Sequence, residues 1–290
     1  MNNKLIIAIL IFALNNYSLS QNTKQEFGLY NIGLGSIVGG IGAIINKKPD
    51  EKTGKVFLKG MWQVALGGAV VYQSKLLVGQ IAEKQDFAYA WPASLTNSIG
   101  NSIIENACLN KNFYEQINFN VGFNRFEIYP TNNFKLKYKI MPVSLVLLGY
   151  VAVQSKFEPE ISMKTGQFVF SNSNFRLQNI DNYRGFTLGN IISFNPKFVE
   201  STSTFSHEMI QVFQYYEYNF LSKLTKKPID NLFKNSKFYN NASKFICSDA
   251  EGALLLRTLY KSEFKTGSKE RYYENFFERE AGVYSNTINR

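Results

Sequence analysis

The 290-residue chain is predicted to be an α+β protein, on three observations. A glycine-rich apolar run near the N-terminus has helical texture. A middle region is rich in β-branched and aromatic residues and is broken up by Asn, Pro, Gly and Ser. From Ser201 onward the apolar spacing is helical again. The order implies a glycine-rich helical N-terminal part, an antiparallel strand layer and C-terminal helices, with residues 21–115 forming the first part and 116–290 the rest. Apolar residues make up 45% of the chain and aromatics 15%, enough for a hydrophobic core and against wholesale disorder.

Residues 1–20 read as an export signal. Lys4 supplies the positive charge, residues 5–14 an apolar run, and Ser18-Leu19-Ser20 a small-residue cleavage site before Gln21. The mature chain is therefore expected in the periplasm or cell envelope, membrane-associated or not. No Cys follows the apolar run, so no lipoprotein anchor is indicated. Cys108 and Cys247, the two cysteines, either pair in an oxidising compartment or stand as separate buried thiols.

Residues 27–46 carry no charge and include Gly28, Gly33, Gly35, Gly39, Gly40 and Gly42. The four-residue spacing of Gly35 and Gly39 suits close helix packing, and about twenty residues suffice to cross a bilayer core. A second apolar stretch, 61–81, is interrupted by Gln63, Gln73 and Lys75, and Lys47, Lys48, Lys52, Lys55 and Lys59 connect the two. Two readings stay open: a membrane hairpin with the basic connector on the cytoplasmic side, or a tightly packed helical pair in a soluble or surface-associated protein.

Trp91, Leu95, Ile99, Ile103 and Ala107 recur at helical spacing and predict a third helix. Strands are expected over 117–129, 134–140, 143–153, 157–161, 167–170 and 186–194. Ser201 or Ser203 then caps a helix running through Phe205, Met209, Val212, Phe213 and Tyr216. Asp249 and Glu251 suit the first turn of a further helix. Residues 272–281 read as a last amphipathic helix that carries Glu278 and Glu280.

The only histidine, His207, sits on the Ser201-capped helix. His207, Gln211 and Gln214 fall at i, i+4 and i+7 on one face, and Glu208 projects about 100° from His207. Together, Thr187-Leu188-Gly189-Asn190-Ile191-Ile192, the run His207-Glu208-Met209-Ile210-Gln211 and the late Glu278-Arg279-Glu280-Ala281 resemble the gluzincin class of zinc metallopeptidases, over roughly residues 185–282. In that class a strand precedes an H-E-x-x-H helix and an E-x-E-A motif follows later. The resemblance implies a zincin-like fold with His207 as first metal ligand, Glu208 as the base that activates water and Glu278 as the downstream ligand. Gln211 stands where the second histidine ligand would be, and Gln214 matches the glutamine often found three residues later.

Zinc is the cofactor this resemblance implies, but Gln211 weakens it. An amide oxygen is a poorer zinc donor than imidazole, and the chain has no other histidine to replace it. The expectation is an exported envelope protein whose metallopeptidase-like domain is catalytically impaired and serves binding or scaffolding, with an unidentified protein or envelope component as partner. Alternatives are a membrane-embedded structural protein built on the glycine-rich hairpin and a weakly active zinc peptidase. A plainer reading makes Gln211 and Gln214 partners of buried backbone, and Glu278 and Glu280 an exposed acidic stripe paired with Arg279 and Arg271.

The net charge of +10 suits an anionic partner such as a membrane surface. The basic residues are scattered with no nucleic-acid module around them, so no nucleic acid is expected. No dinucleotide fingerprint, phosphate-binding loop or nucleophile elbow is present.

Overall fold

Thr23 and Glu26 start the first helix by capping each other. The Thr23 hydroxyl accepts from the Glu26 N–H at 3.2 Å, and the Glu26 carboxylate accepts from the Thr23 N–H at 3.0 Å. The computed structural model describes residues 23–131, 133–173, 183–263 and 269–288; the export signal read at 1–20 lies outside them. Helix α1 (Lys24–Ile45) packs beside α2 (Thr53–Lys84), and α2 beside α3 (Ala90–Cys108). By length and composition α1 and α2 are each able to cross a membrane.

Glycine sets how closely these helices approach. A Cβ on Gly60 would lie 2.8 Å from the Gly39 carbonyl oxygen, and one on Gly100 would lie 2.8 Å from that of Gly67 and 2.7 Å from Val71. The α2–α3 contact is therefore backbone against backbone. Gly100→Val is expected to force the pair apart and lower stability by about 1–3 kcal/mol. A urea unfolding midpoint unchanged from wild type would show that the helices part freely.

Strands β1 (Ile117–Val121), β2 (Asn124–Tyr129) and β3 (Lys135–Ile140) form an antiparallel meander. It is fastened to α3 where the Ser102 hydroxyl accepts from the Asn118 N–H at 2.7 Å. Helix α4 (Pro142–Ala152), strand β4 (Lys156–Phe157), helix α5 (Pro159–Thr165) and strands β5 (Phe168–Ser171), β6 (Gly185–Leu188) and β7 (Ile191–Phe194) follow. The second sheet runs β4-β5-β7-β6.

The α+β class holds, with corrections inside it. The strand layer is not wholly antiparallel, because β5 and β7 pair in parallel. The segment read as one strand over 186–194 is a hairpin, folded at Gly189 with φ +65°. The strand expected over 143–153 is helix α4. Pro142 occupies its first turn, and the Asp249 carboxylate accepts from the Val143 and Ser144 N–H groups, each at 2.9 Å. Of residues 157–161 only Phe157 is in a strand, the second residue of β4, before Pro159 opens α5.

The C-terminal helices are α6 (Thr202–Glu217), α7 (Leu221–Leu232), α8 (Lys237–Phe245), α9 (Ala250–Ser262) and α10 (Phe276–Ser285). The N-terminal and C-terminal parts share one core: Phe27, Val78, Ile81 and Ala93 pack in the same cluster as Phe205, Met209, Phe277 and Tyr284. Cys108 and Cys247 are both buried and free.

Candidate functional site

Three elements build the site. Ser201 caps α6, its hydroxyl accepting from the Thr204 N–H at 3.3 Å, which starts the helix so that His207 and Glu208 fall in its second turn. The β6–β7 hairpin lies against α6, with Phe194 of β7 near Phe205. Asn275 caps α10 by accepting from the Phe277 and Glu278 N–H groups at 2.9 and 3.4 Å, which places Glu278 in that helix's first turn. Residues 71 positions apart in sequence then meet: His207 Nε2 lies 2.9 Å from Glu278 Oε2.

Gln211 completes the meeting. Its amide donates to Glu278 Oε2 at 2.9 Å, and its nitrogen lies 3.3 Å from His207 Nε2. Tyr260 of α9 donates to the other Glu278 oxygen. The Tyr272 hydroxyl lies 3.4 Å from His207 Nε2, with its ring stacked on the imidazole. Thr287 Oγ1 lies 3.4 Å from His207 Nδ1. His207, Glu208 and Glu278 are all buried.

Burial disfavours a charged His207, but the hydrogen bond and negative charge of Glu278 outweigh it and raise the imidazole pKa above its ordinary value. The pair therefore has the character of an imidazolium donating to a carboxylate. Glu208 points elsewhere. Thr187 of β6 donates to its carboxylate at 2.9 Å and to its backbone carbonyl at 3.0 Å. Burial pushes the Glu208 pKa up to about 7, against the opposing pull of His207 and Thr187.

Glu280 and Gln214 belong to a second, adjoining cluster. Gln214 donates to the Phe277 carbonyl at 3.0 Å and to Glu280 at 2.8 Å. Glu280 also accepts from Asn31 at 2.7 Å and from Lys75 at 2.8 Å, and Lys75 pairs with Glu217 at 2.6 Å. Burial alone would drive the proton off Lys75, yet these two carboxylates raise its pKa. Glu278 and Glu280 are thus buried and engaged from several elements, not an exposed acidic stripe.

Several contributors carried no motif in the sequence, Thr287 and Glu217 among them. Tyr260 and Tyr272 have no periodic signal that separates them from packing aromatics. Asn31 sits in a glycine-rich run. Lys75 did leave a signal, as the one charge among the buried helical positions Val64, Val71 and Val78.

Catalytic zinc takes three strong protein donors and an open position. Here one imidazole and one carboxylate meet an amide whose NH2 faces the carboxylate. Among the described residues no group of three or more His, Cys, Asp or Glu could hold a metal ion. The residues present do not fit a catalytic zinc. Two hydrogen-bond donors, His207 and Gln211, meet the Glu278 oxygen that would face such a cation. No protein family, curated protein or solved structure matches the chain.

Proposed function

We propose that this chain is an exported envelope protein whose metallopeptidase-like site binds rather than hydrolyses. The observation that carries the reading is the convergence of His207, Gln211 and Glu278, with Glu208 held by Thr187 of strand β6. Three motif residues, two of them 71 positions apart in sequence, come together, and the group at the second-ligand position is one that binds zinc poorly. Strand β6 lies at the end of its sheet, where an extended polypeptide can add as a further strand. Such a polypeptide would run past Glu208. That placement supports a binding or scaffolding role.

Elemental mass spectrometry of the purified mature protein tests the reading. The expected result is zinc well below one per chain in wild type and in His207→Ala alike. Near-stoichiometric zinc that disappears in His207→Ala would overturn it in favour of an active peptidase. Gln211→His supplies the missing imidazole and is expected to raise zinc occupancy toward one per chain. If it binds no more zinc than wild type, the convergence is only a structural hydrogen-bond cluster.

A second reading, a membrane-embedded structural protein built on the α1–α2 hairpin, is favoured by the length and apolarity of those helices. It requires both helices to face lipid. Gln63 and Lys75 of α2 are buried within the protein.

A further inference from the structure

In the helical layer formed by α1, α2 and α3 one side packs on the C-terminal helices. Apolar residues are exposed on other sides along α2 and in the first halves of α1 and α3, while 38–43 of α1 and 101–103 of α3 are buried all round. Each helix has a stretch without Asp, Glu, Lys or Arg: between Glu26 and Lys47, between Lys59 and Lys75, and between Asp86 and Glu105. On α2 the inner positions Val71, Lys75 and Val78 are buried, while Leu58, Trp62 and Leu66 recur every four residues on another side, exposed by 64%, 50% and 40%. Leu95 and Ile99 are exposed in the same way on α3, and Leu29 and Ile37 on α1. Phe113, just beyond α3, extends the patch by packing edge-on against Trp62, with ring centroids 6.0 Å apart.

Large exposed aliphatic and aromatic side chains grouped in this way mark a surface that meets something apolar. The charges at one edge indicate what. Lys48 and Lys52 in the turn between α1 and α2, and Lys55 in the first turn of α2, are exposed at the end of α2 that carries Leu58 and Trp62, and with Lys47 and Lys59 they outnumber Asp50 and Glu51 there. A tryptophan at the border of an apolar face, flanked by lysines, is the arrangement of a segment that rests in the headgroup region of a bilayer. Exposed lysines draw such a face to anionic lipid.

The rest of the fold determines how it rests there. Near its start α1 touches the C-terminal helices where Phe27 packs on Phe276, with ring centroids 5.3 Å apart. Near its end the Asn46 amide donates to the Lys223 carbonyl at 3.1 Å. Those two contacts are roughly 28 Å apart along a helix rising 1.5 Å per residue, close to the full thickness of a hydrocarbon core. A bilayer enclosing α1 and α2 would therefore also have to enclose the body beside them, including the buried charges Glu105, Arg125 and Lys223.

We infer that α1, α2 and α3 lie flat on an anionic membrane surface with their outer face in the lipid, and do not span it. The face is separate from His207 and its neighbours, so this inference and the proposed function stand or fall independently.

The chain has two tryptophans, Trp62 and Trp91. Trp91→Phe leaves Trp62 as the sole fluorophore, in the full mature protein. The expected result is a blue shift of its emission and co-sedimentation with phosphatidylcholine vesicles containing phosphatidylglycerol, both much weaker on phosphatidylcholine alone. Exposed residues are changed without disturbing the core, so the double variant Leu58→Glu/Trp62→Glu should keep the wild-type unfolding midpoint while losing vesicle binding by about tenfold or more. Alkaline carbonate should strip the wild-type protein from native membranes. Carbonate-resistant protein would overturn the inference in favour of a spanning hairpin. No shift and no co-sedimentation would overturn it outright, as would a dimer in solution that Leu58→Glu/Trp62→Glu dissolves while vesicle binding is absent.

Discussion

Arg125→Met is expected to cost about 3–5 kcal/mol of folding stability, read as a lowered urea unfolding midpoint. Arg125 is 1% exposed and is the hub of a buried charge cluster. Its guanidinium donates to Glu105 at 2.5 and 3.1 Å and to Glu127 at 3.0 Å. Lys139 lies 3.4 Å from Glu127, and Lys223 lies 3.7 Å from Glu105. Burial would push the Glu127 pKa up, but Arg125, Lys139 and Lys223 bring it down to about 2.

Removing the arginine leaves Glu105 and Glu127 in a low-dielectric interior with only the more distant Lys223 and Lys139 to balance them, and poorly paired ionisation there is costly. The triple variant Arg125→Met/Glu105→Gln/Glu127→Gln removes both carboxylates with the arginine and should recover part of the loss, the remainder being the buried Lys223 left without Glu105. The carboxylate whose folded-state pKa is lowered stabilises above its ordinary value and loses that contribution as pH falls through its folded value. Wild type should accordingly weaken between about pH 4.5 and 2, and the triple variant should not share this weakening at Glu127. A single variant within about 1 kcal/mol of wild type would mean that water reaches the cluster.

Glu208→Gln carries the second large effect, with the opposite sign. The Glu208 pKa is about 7 in the folded protein against an ordinary 4.5. Below 4.5 the side chain is protonated in both folded and unfolded chains and costs nothing. Between 4.5 and 7 the unfolded chain releases the proton first, so stability falls as pH rises. Above 7 the deficit is complete, about 3 kcal/mol. Glutamine stays neutral and can still accept from Thr187. The variant should therefore match wild type near pH 4 and exceed it by up to about 3 kcal/mol at pH 8, in unfolding free energies measured across that range.

His207 works in the same direction. Its raised pKa gives stability that is complete below its ordinary value and is lost as pH rises through the folded value. A difference between Glu208→Gln and wild type that does not change with pH would remove the titration as its cause. A carboxylate that weakens the fold at neutral pH is a feature that sites retain and cores do not.

The helices and the ligand-like positions were legible because their signals are local. Ser201 as a cap, His207 and Gln211 one turn apart, and Glu278 on a later helix all follow from spacing along one element. What spacing could not show was which distant group completes an element. Residues 143–153 have the branched and aliphatic content of a strand, and they are helical because Asp249, more than a hundred positions later, accepts their first N–H groups. In the same way Lys75 reads as a flaw in an apolar stretch until Glu217 and Glu280 arrive beside it. The parallel pairing of β5 with β7 depends on the order of strands in space, on which alternation of side chains within a strand is silent.

The dependence of Lys75 on Glu280 also orders events during synthesis. Helix α2 emerges from the ribosome with a lysine in its inner face, roughly two hundred residues before the last of its carboxylate partners. Until α10 is made, the inner sides of α1 and α2 have neither Glu280 nor Phe276 and Phe277 to pack against. Contacts so far apart in sequence close slowly, and an apolar helical pair left waiting is prone to stick to other chains. A chain stopped before residue 269 should thus remain open to proteases. Helix α10 acts as the latch on the protein's first helices.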